Sequence, residues 1–257
     1  MKNKLSLILN FTKREFKERY VGTSFGHLWH FISPLITILI YTIIFSDFMK
    51  MKLKIVDNSY SYSIYLISGL LAWTAFSTTV LRLNNSFFDK ASIIKKINIP
   101  MYIFQASIAL SEFITFVISM TLAIIFLILV NQPVTVNFLW LIPIMLIQTL
   151  FAFSLGVIFS LFAVFFKDLR EIVPIVFQLW FWMTPIVYVK DVLEQKYPFL
   201  LTINPFFYFA DTYQNLFLYS KAPSLHNLAI IAIETGISFL LAVYLYKKMI
   251  SAIKDII

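Results

Sequence analysis

The chain has no cysteine, so it forms no disulfide and offers no thiolate to a metal. Charge is scarce: 13% of its 257 residues are charged, about half the roughly 25% of a soluble domain. It has only five glycines, Gly22, Gly26, Gly69, Gly156 and Gly236. None opens the G-x-x-x-x-G-K-[ST] pattern that cradles nucleotide phosphates. Any ATP-driven activity therefore needs its ATPase on another polypeptide. The N-terminus lacks the short apolar core and cleavage site of a signal peptide, so the first apolar stretch is expected to be retained.

What fills the chain is apolar. It is 60% hydrophobic, with 28 Phe and a mean hydropathy of +0.83. That is the composition of a polytopic membrane protein. The net charge of +8 sits in short segments between apolar runs. Such spacing is an orientation signal rather than a nucleic-acid site.

A helical span needs about 20 mostly apolar residues. Six such stretches are predicted: Leu28–Phe48, Asn58–Leu81, Met101–Val130, Phe138–Phe166, Ile172–Val189 and Leu225–Tyr246. The turn signal Asn131-Gln132-Pro133 divides the third from the fourth. Fifteen of the 21 Lys and Arg fall on the side of the termini and six on the other. This excess predicts cytoplasmic termini, although Lys50, Lys52 and Lys54 run against it. No internal repeat is visible, so residues 1–257 are read as one all-α integral membrane domain.

Three segments flank the spans. Residues 1–22 form an amphipathic helix whose stripe Leu5, Ile8, Leu9, Thr12, Phe16 and Tyr20 is largely uncharged. Lys13, Arg14, Lys17 and Glu18 lie on other faces, as in a helix at the headgroup plane. In residues 82–100, Asn85 or Ser86 is expected to cap a short cytosolic helix. Asp89 suits its first turn, Lys95 and Lys96 its last, and Pro100 follows its end. In residues 190–224, Tyr197 to Ala210 is apolar and aromatic but too short to span. Pro198 and Pro205 would break it into short helices. It reads either as a segment that dips into the bilayer and returns or as an interfacial aromatic belt.

No catalytic constellation is present. His27 and His30 share a helix face without a carboxylate, and metal sites need three or four ligands. The intramembrane carboxylates are Glu112 and Glu234. No basic residue lies deep in a span beside either, which argues against an ion relay. Aromatic and polar stripes are more informative. Phe177, Trp180, Phe181, Thr184 and Tyr188 share one face of the fifth span; His30, Pro34, Thr37 and Tyr41 share one face of the first. Such faces suit sugar C–H groups and hydroxyls, or else helix and lipid packing.

Taken together these residues resemble the membrane subunit of type-2 ABC exporters of surface polysaccharide. Glu15 to Pro34 is close to that family's R-Y-x-x-S-x-L-G-x-L-W-x-x-x-x-P pattern. Phe165 to Glu171, Trp182 to Tyr188, Ile203 to Phe206 and the Pro100 boundary also match. His27 stands where the family often has an aliphatic residue. The resemblance implies a homodimeric channel paired with two cytosolic ATPase subunits, which hold the ATP and Mg; this chain binds no cofactor. It implies export of a polyprenyl-linked O-antigen, capsule or teichoic-acid glycan across the cytoplasmic membrane, with drugs or small lipids as the alternative cargo. The implied substrate path includes Trp29, His30, Thr37 and Tyr41 with Phe177, Trp180, Phe181, Thr184 and Tyr188. Coupling to the ATPase is implied for Ser86, Asp89, Lys90, Lys95 and Lys96. Lys13, Arg14, Phe16, Lys17 and Arg19 are implied for the interface helix, and short re-entrant helices before the last span.

Overall fold

The computed structural model describes residues 2–51, 53, 58–96 and 99–256. Lys52, Lys54 and Asp57 of the first polar link lie outside the described residues. Helix α1 covers Lys2–Glu18. A turn follows in which Gly22 and Gly26 take positive φ of 85° and 49°, a conformation that costs an L side chain strain. The first span, Gly26–Ser46, is built on α2, Trp29–Thr42.

Helix α3 runs unbroken over Ser61–Asp89. Its 29 residues extend about 43 Å at 1.5 Å per residue, beyond the roughly 30 Å of a hydrocarbon core. The expected caps Asn85 and Ser86 therefore lie inside a helix. The reason is that Phe76, Val80, Leu83 and Phe87 continue the buried face at helical spacing. The short helix that follows, α4 over Ala91–Ile94, starts after Lys90 with no side-chain cap. Ile97 and Asn98 lie outside the described residues.

Helix α5 spans Tyr102–Leu129 and α6 spans Leu141–Phe165. The turn between them includes Asn131 at φ 56°. Gln132 pins it by donating to the Leu218 carbonyl at 2.7 Å and accepting from Asn58 at 3.0 Å. Close approach of α3 to α6 depends on Gly156. A Cβ there would lie 2.6 Å from Leu83 Cβ, a small-residue contact of the kind that lets membrane helices pack.

The stretch expected as the fifth span is helical only over α7, Leu169–Met183, 15 residues. Thr184 is extended, at φ −100° and ψ 131°. Short helices α8, Asp191–Lys196, and α9, Pro198–Ile203, lead to α10, Pro205–Tyr219. Pro198 and Pro205 divide the stretch, each opening a helix, since the first helical position needs no N–H. Of the aromatics between Tyr197 and Ala210, Phe206 and Phe209 are buried in the core, as are Tyr213 and Phe217 further along α10, whereas Tyr197 and Phe199 are exposed. Helix α11, Leu225–Ile256, completes the chain.

Among the described residues, five stretches are long and apolar enough to cross a membrane: Gly26–Ser46, Ser61–Asp89, Tyr102–Leu129, Val136–Phe165 and Leu225–Lys254. Helix α3 is the central strut, packed on α2, α5, α6, α7 and α10. The main core gathers Leu66, Phe76, Phe116, Ile144, Phe206, Phe209 and Tyr213. A second core joins Phe87 and Met101 to Val157, Leu161, Ala242 and Ile253.

Candidate functional site

The stripe predicted for α1 places its charges only in part. Glu15 lies three residues beyond Thr12, on the edge of the apolar arc, and both are buried, at 5% and 3% exposed. Leu5 and Leu9 of the stripe are exposed instead. The buried side of α1 packs on α5, with Phe11 edge-on to Phe104 at 4.8 Å. A carboxylate carried into that contact requires cations.

The cations come from three elements. Arg82, on the extension of α3, donates to Glu15 at 2.9 Å and also pairs with Glu112 of α5. Arg19 donates to both carboxylate oxygens of Glu112, at 2.6 and 2.8 Å. Lys90 pairs with the other oxygen of Glu15. Three cations thus hold two buried carboxylates, and the cluster ties α1, α3 and α5 together beside α4. The expectation that Glu112 lacks a basic neighbour is corrected here: Arg19 and Arg82 reach it from outside its own span, where spacing in sequence gives no sign of them. Glu234 has no such partner among the described residues; its Oε2 is buried without a hydrogen bond.

His30 belongs to the same assembly. It is fully buried and stacks on Phe16 with ring centres 3.8 Å apart. Its Nε2 lies 3.1 Å from the Phe16 carbonyl, an acceptor only, so Nε2 carries the proton and donates. Nδ1 faces the Thr115 hydroxyl at 3.0 Å. Phe16 supplies one of the last carbonyls of α1, which no longer have helical partners. His30 therefore closes the end of α1 onto α2 and α5. Among the described residues no group of three or more His, Cys, Asp or Glu is arranged for a metal.

Beside this cluster an open cleft of about 540 Å³ is lined by Arg19, Tyr20, Trp29, His30, Thr37, Glu112 and Thr115, with Thr74 and Thr78 of α3. Trp29, His30 and Thr37 of the expected path meet there. Tyr41 does not; its ring stacks with Phe45 at 6.0 Å.

The α7 stripe lies elsewhere and faces inward. Phe177 and Thr184 are buried. Phe177, Trp180 and Phe181 all pack on Trp73 of α3, at 6.0, 5.7 and 5.8 Å between ring centres. Trp180 donates to Asn204 at 2.7 Å, and Asn204 donates to Thr184 at 2.8 Å while capping α10. The irregular backbone after α7 is satisfied by side chains, as buried backbone groups must be. Tyr62 donates to the Val187 carbonyl, Tyr65 lies 3.0 Å from that of Pro185, and Gln214 donates to the latter at 2.9 Å. Tyr188 turns back to donate to the Trp182 carbonyl. Lys190 binds Asp211 at 2.9 Å; burial lowers its pKa, but that hydrogen bond and the nearby carboxylates raise it on balance. Ile175, Gln178, Leu179 and Trp182 form the exposed face of α7.

Of the expected coupling residues, Ser86 is buried and Lys90 is engaged by Glu15. Asp89, Lys95 and Lys96 are exposed. Of those expected on the interface helix, Lys13, Arg14 and Lys17 are exposed, whereas Phe16 and Arg19 turn inward. The first turn of α7 docks on the same end of α3: Arg170 donates to Asn85 at 2.9 Å and lies over the Phe88 ring at 4.6 Å.

Residues 6–218 match the family model described as ABC-2 type transporter. The chain is 32% identical over 213 residues to an O-antigen export system permease protein RfbA of Klebsiella pneumoniae, covering 82% of this chain and 80% of that one. A permease of the same name from Myxococcus xanthus is 28% identical over 228 residues, covering 88% and 85%.

Proposed function

This chain belongs to the ABC-2 type transporter family, and from that premise we propose that it forms the channel of an ATP-driven exporter of a lipid-linked surface polysaccharide. It is an integral membrane transport subunit and not an enzyme; ATP and Mg belong to a separate ATPase. Carrying the cargo assignment is the similarity to O-antigen export permeases over four-fifths of both chains. The cargo is a glycan on a polyprenyl carrier, and the channel forms between two copies of this chain.

In this reading the chain is a single domain with cytoplasmic termini. Residues Ile172–Val189, on α7 and the segment after it, make a sixth crossing, and α9 and α10 form the re-entrant external cap. Helix α1 lies at the cytoplasmic membrane face, with Lys13, Arg14 and Lys17 toward headgroups or the ATPase. Asp89, Lys95 and Lys96 dock the ATPase. The charge cluster of Glu15, Arg82, Lys90, Glu112 and Arg19 makes α1, the docking segment and the third span move as one body. The cleft at Trp29, His30 and Thr37 borders the path, and the inward stripe Phe177, Trp180, Phe181 and Thr184 stiffens the wall formed by α7.

Deleting the chain from its host tests the cargo. Surface glycan is expected to disappear while lipid-linked glycan accumulates inside the cell. Intact surface glycan with no internal pool would favour export of drugs or small lipids instead. Docking is tested by charge reversal at Lys95 and Lys96. ATP hydrolysis is then expected to continue without export, in a protein that still reaches the membrane; normal export would remove this segment from coupling.

A further inference from the structure

The cleft beside the charge cluster is graded along its length. Arg19 and Glu112 line one end, level with Arg82, which pairs with Glu112. Thr78 and Thr74 follow one and two turns along α3 from Arg82, and Ser119 two turns along α5 from Glu112. Thr37 joins them from α2. Hydroxyls therefore continue from the charged end for about 10 Å at 1.5 Å per residue.

The two ends ask for different groups. Thr74 is exposed, and Thr37 and Thr78 are half-exposed. Thr37 and Thr74 donate to carbonyls one turn back in their own helices, at 3.0 and 2.8 Å. Each oxygen is left as an acceptor, which an acyl chain cannot use and a sugar hydroxyl can. At the charged end, Arg19, Arg82 and Lys90 form their ion pairs with Glu15 and Glu112. Three positive charges thus stand against two negative ones. Glu112 takes Nη1 of Arg19, whose side chain is 24% exposed. The rest of its guanidinium fork, a shape that matches phosphate, remains for a ligand.

An anion followed by hydroxyl donors is the order of groups in a glycosyl phosphate. We infer that this cleft recognises the junction of the cargo, with its linking phosphate on Arg19 and its first sugar hydroxyls on Thr78, Thr74 and Thr37. The inference rests on the export reading above and narrows it. Because Trp180 and Phe181 are closed against Trp73, the sugar meets threonines of α3 rather than rings of α7.

The test is made in the host, on the full chain with its own ATPase. Thr74→Val combined with Thr78→Val removes two hydroxyls and keeps the branching. It should slow appearance of surface glycan about tenfold, with the membrane level and thermal midpoint of the protein unchanged. The corresponding Thr→Ser pair keeps the hydroxyls and should restore most of the rate. Thr121→Val alters an exposed hydroxyl of α5 that is off the cleft and should change nothing. A photoreactive benzophenone amino acid in place of the exposed, cleft-lining Ser33 should capture glycan, and Arg19→Gln should lower that capture about fivefold at equal protein level. Normal export by the Thr→Val pair, an equal loss with Thr121→Val, unchanged capture with Arg19→Gln, or capture of a second copy of the chain in place of glycan overturns this inference while the export reading stands. Surface glycan that survives deletion of the chain overturns the export reading, and this inference with it.

Discussion

Replacing Arg82 with Met is expected to destabilise the folded chain by about 3 kcal/mol, the lower end of the range for breaking a buried ion pair. Among the described residues, Arg82 is the one cation that touches both Glu15 and Glu112. Without it two carboxylates, 6% and 3% exposed at their side chains, face each other across the contact of α1 with α5. The cost stays at the lower end because each retains a second cation, Lys90 or Arg19. The check is the thermal midpoint of the detergent-solubilised protein, with export measured in cells. Arg82→Lys should recover only part, since a point-like ammonium cannot bridge two carboxylates as a guanidinium does. Adding Glu112→Gln to Arg82→Met should return part of the stability by removing one buried charge. For scale, Arg14→Ala breaks the exposed pair with Glu18 and should cost only about 0.3–0.5 kcal/mol. Equal effects of the Arg82 and Arg14 changes would mean that the cluster is solvated and does not hold α1 in place.

Gly156→Ala is expected to destabilise by about 1–3 kcal/mol, the usual cost of overpacking. The new Cβ would sit 2.6 Å from both Cβ and Cδ1 of Leu83. Cβ is fixed by the backbone, so α3 and α6 must separate; rotating the leucine is not enough. Gly156→Leu should keep the protein from accumulating in the membrane. Leu83→Ala should not rescue Gly156→Ala, because the Cβ contact persists. Gly236 supplies the opposite sign. Nothing lies within 4 Å of a Cβ there, so Gly236→Ala should be neutral or stabilising by up to about 1 kcal/mol through helix propensity. Thermal midpoints of Gly156→Ala and Gly236→Ala, with the membrane level of Gly156→Leu, decide the matter, and a stabilising Gly156→Ala would refute the close approach.

The amino-acid sequence by itself determined the class of protein and most of its helices. Apolar runs of span length need no partner to be recognised, because water and lipid sort them by composition alone. The pattern over Glu15 to Pro34 carried the family, and Pro198 and Pro205 marked where their stretch divides into helices through local backbone chemistry. Tertiary structure decided what the side chains do. Glu15 and Glu112 are 97 positions apart, and only the packing of α1 on α5 brings them to one arginine. Asn85 and Ser86 read as a cap because polar residues favour helix starts; the buried face continued by Leu83 and Phe87 overrode that preference. The aromatic stripe of α7 was legible as a single face over Phe177, Trp180 and Phe181, since periodicity fixes which residues point together; it fails for Tyr188 because the helix ends at Met183 and that side chain turns back to the Trp182 carbonyl. Its direction was not, because a stripe suited to sugars is equally suited to Trp73. Periodicity is a property of one helix, whereas the choice between core, lipid and path belongs to the neighbours that helix meets.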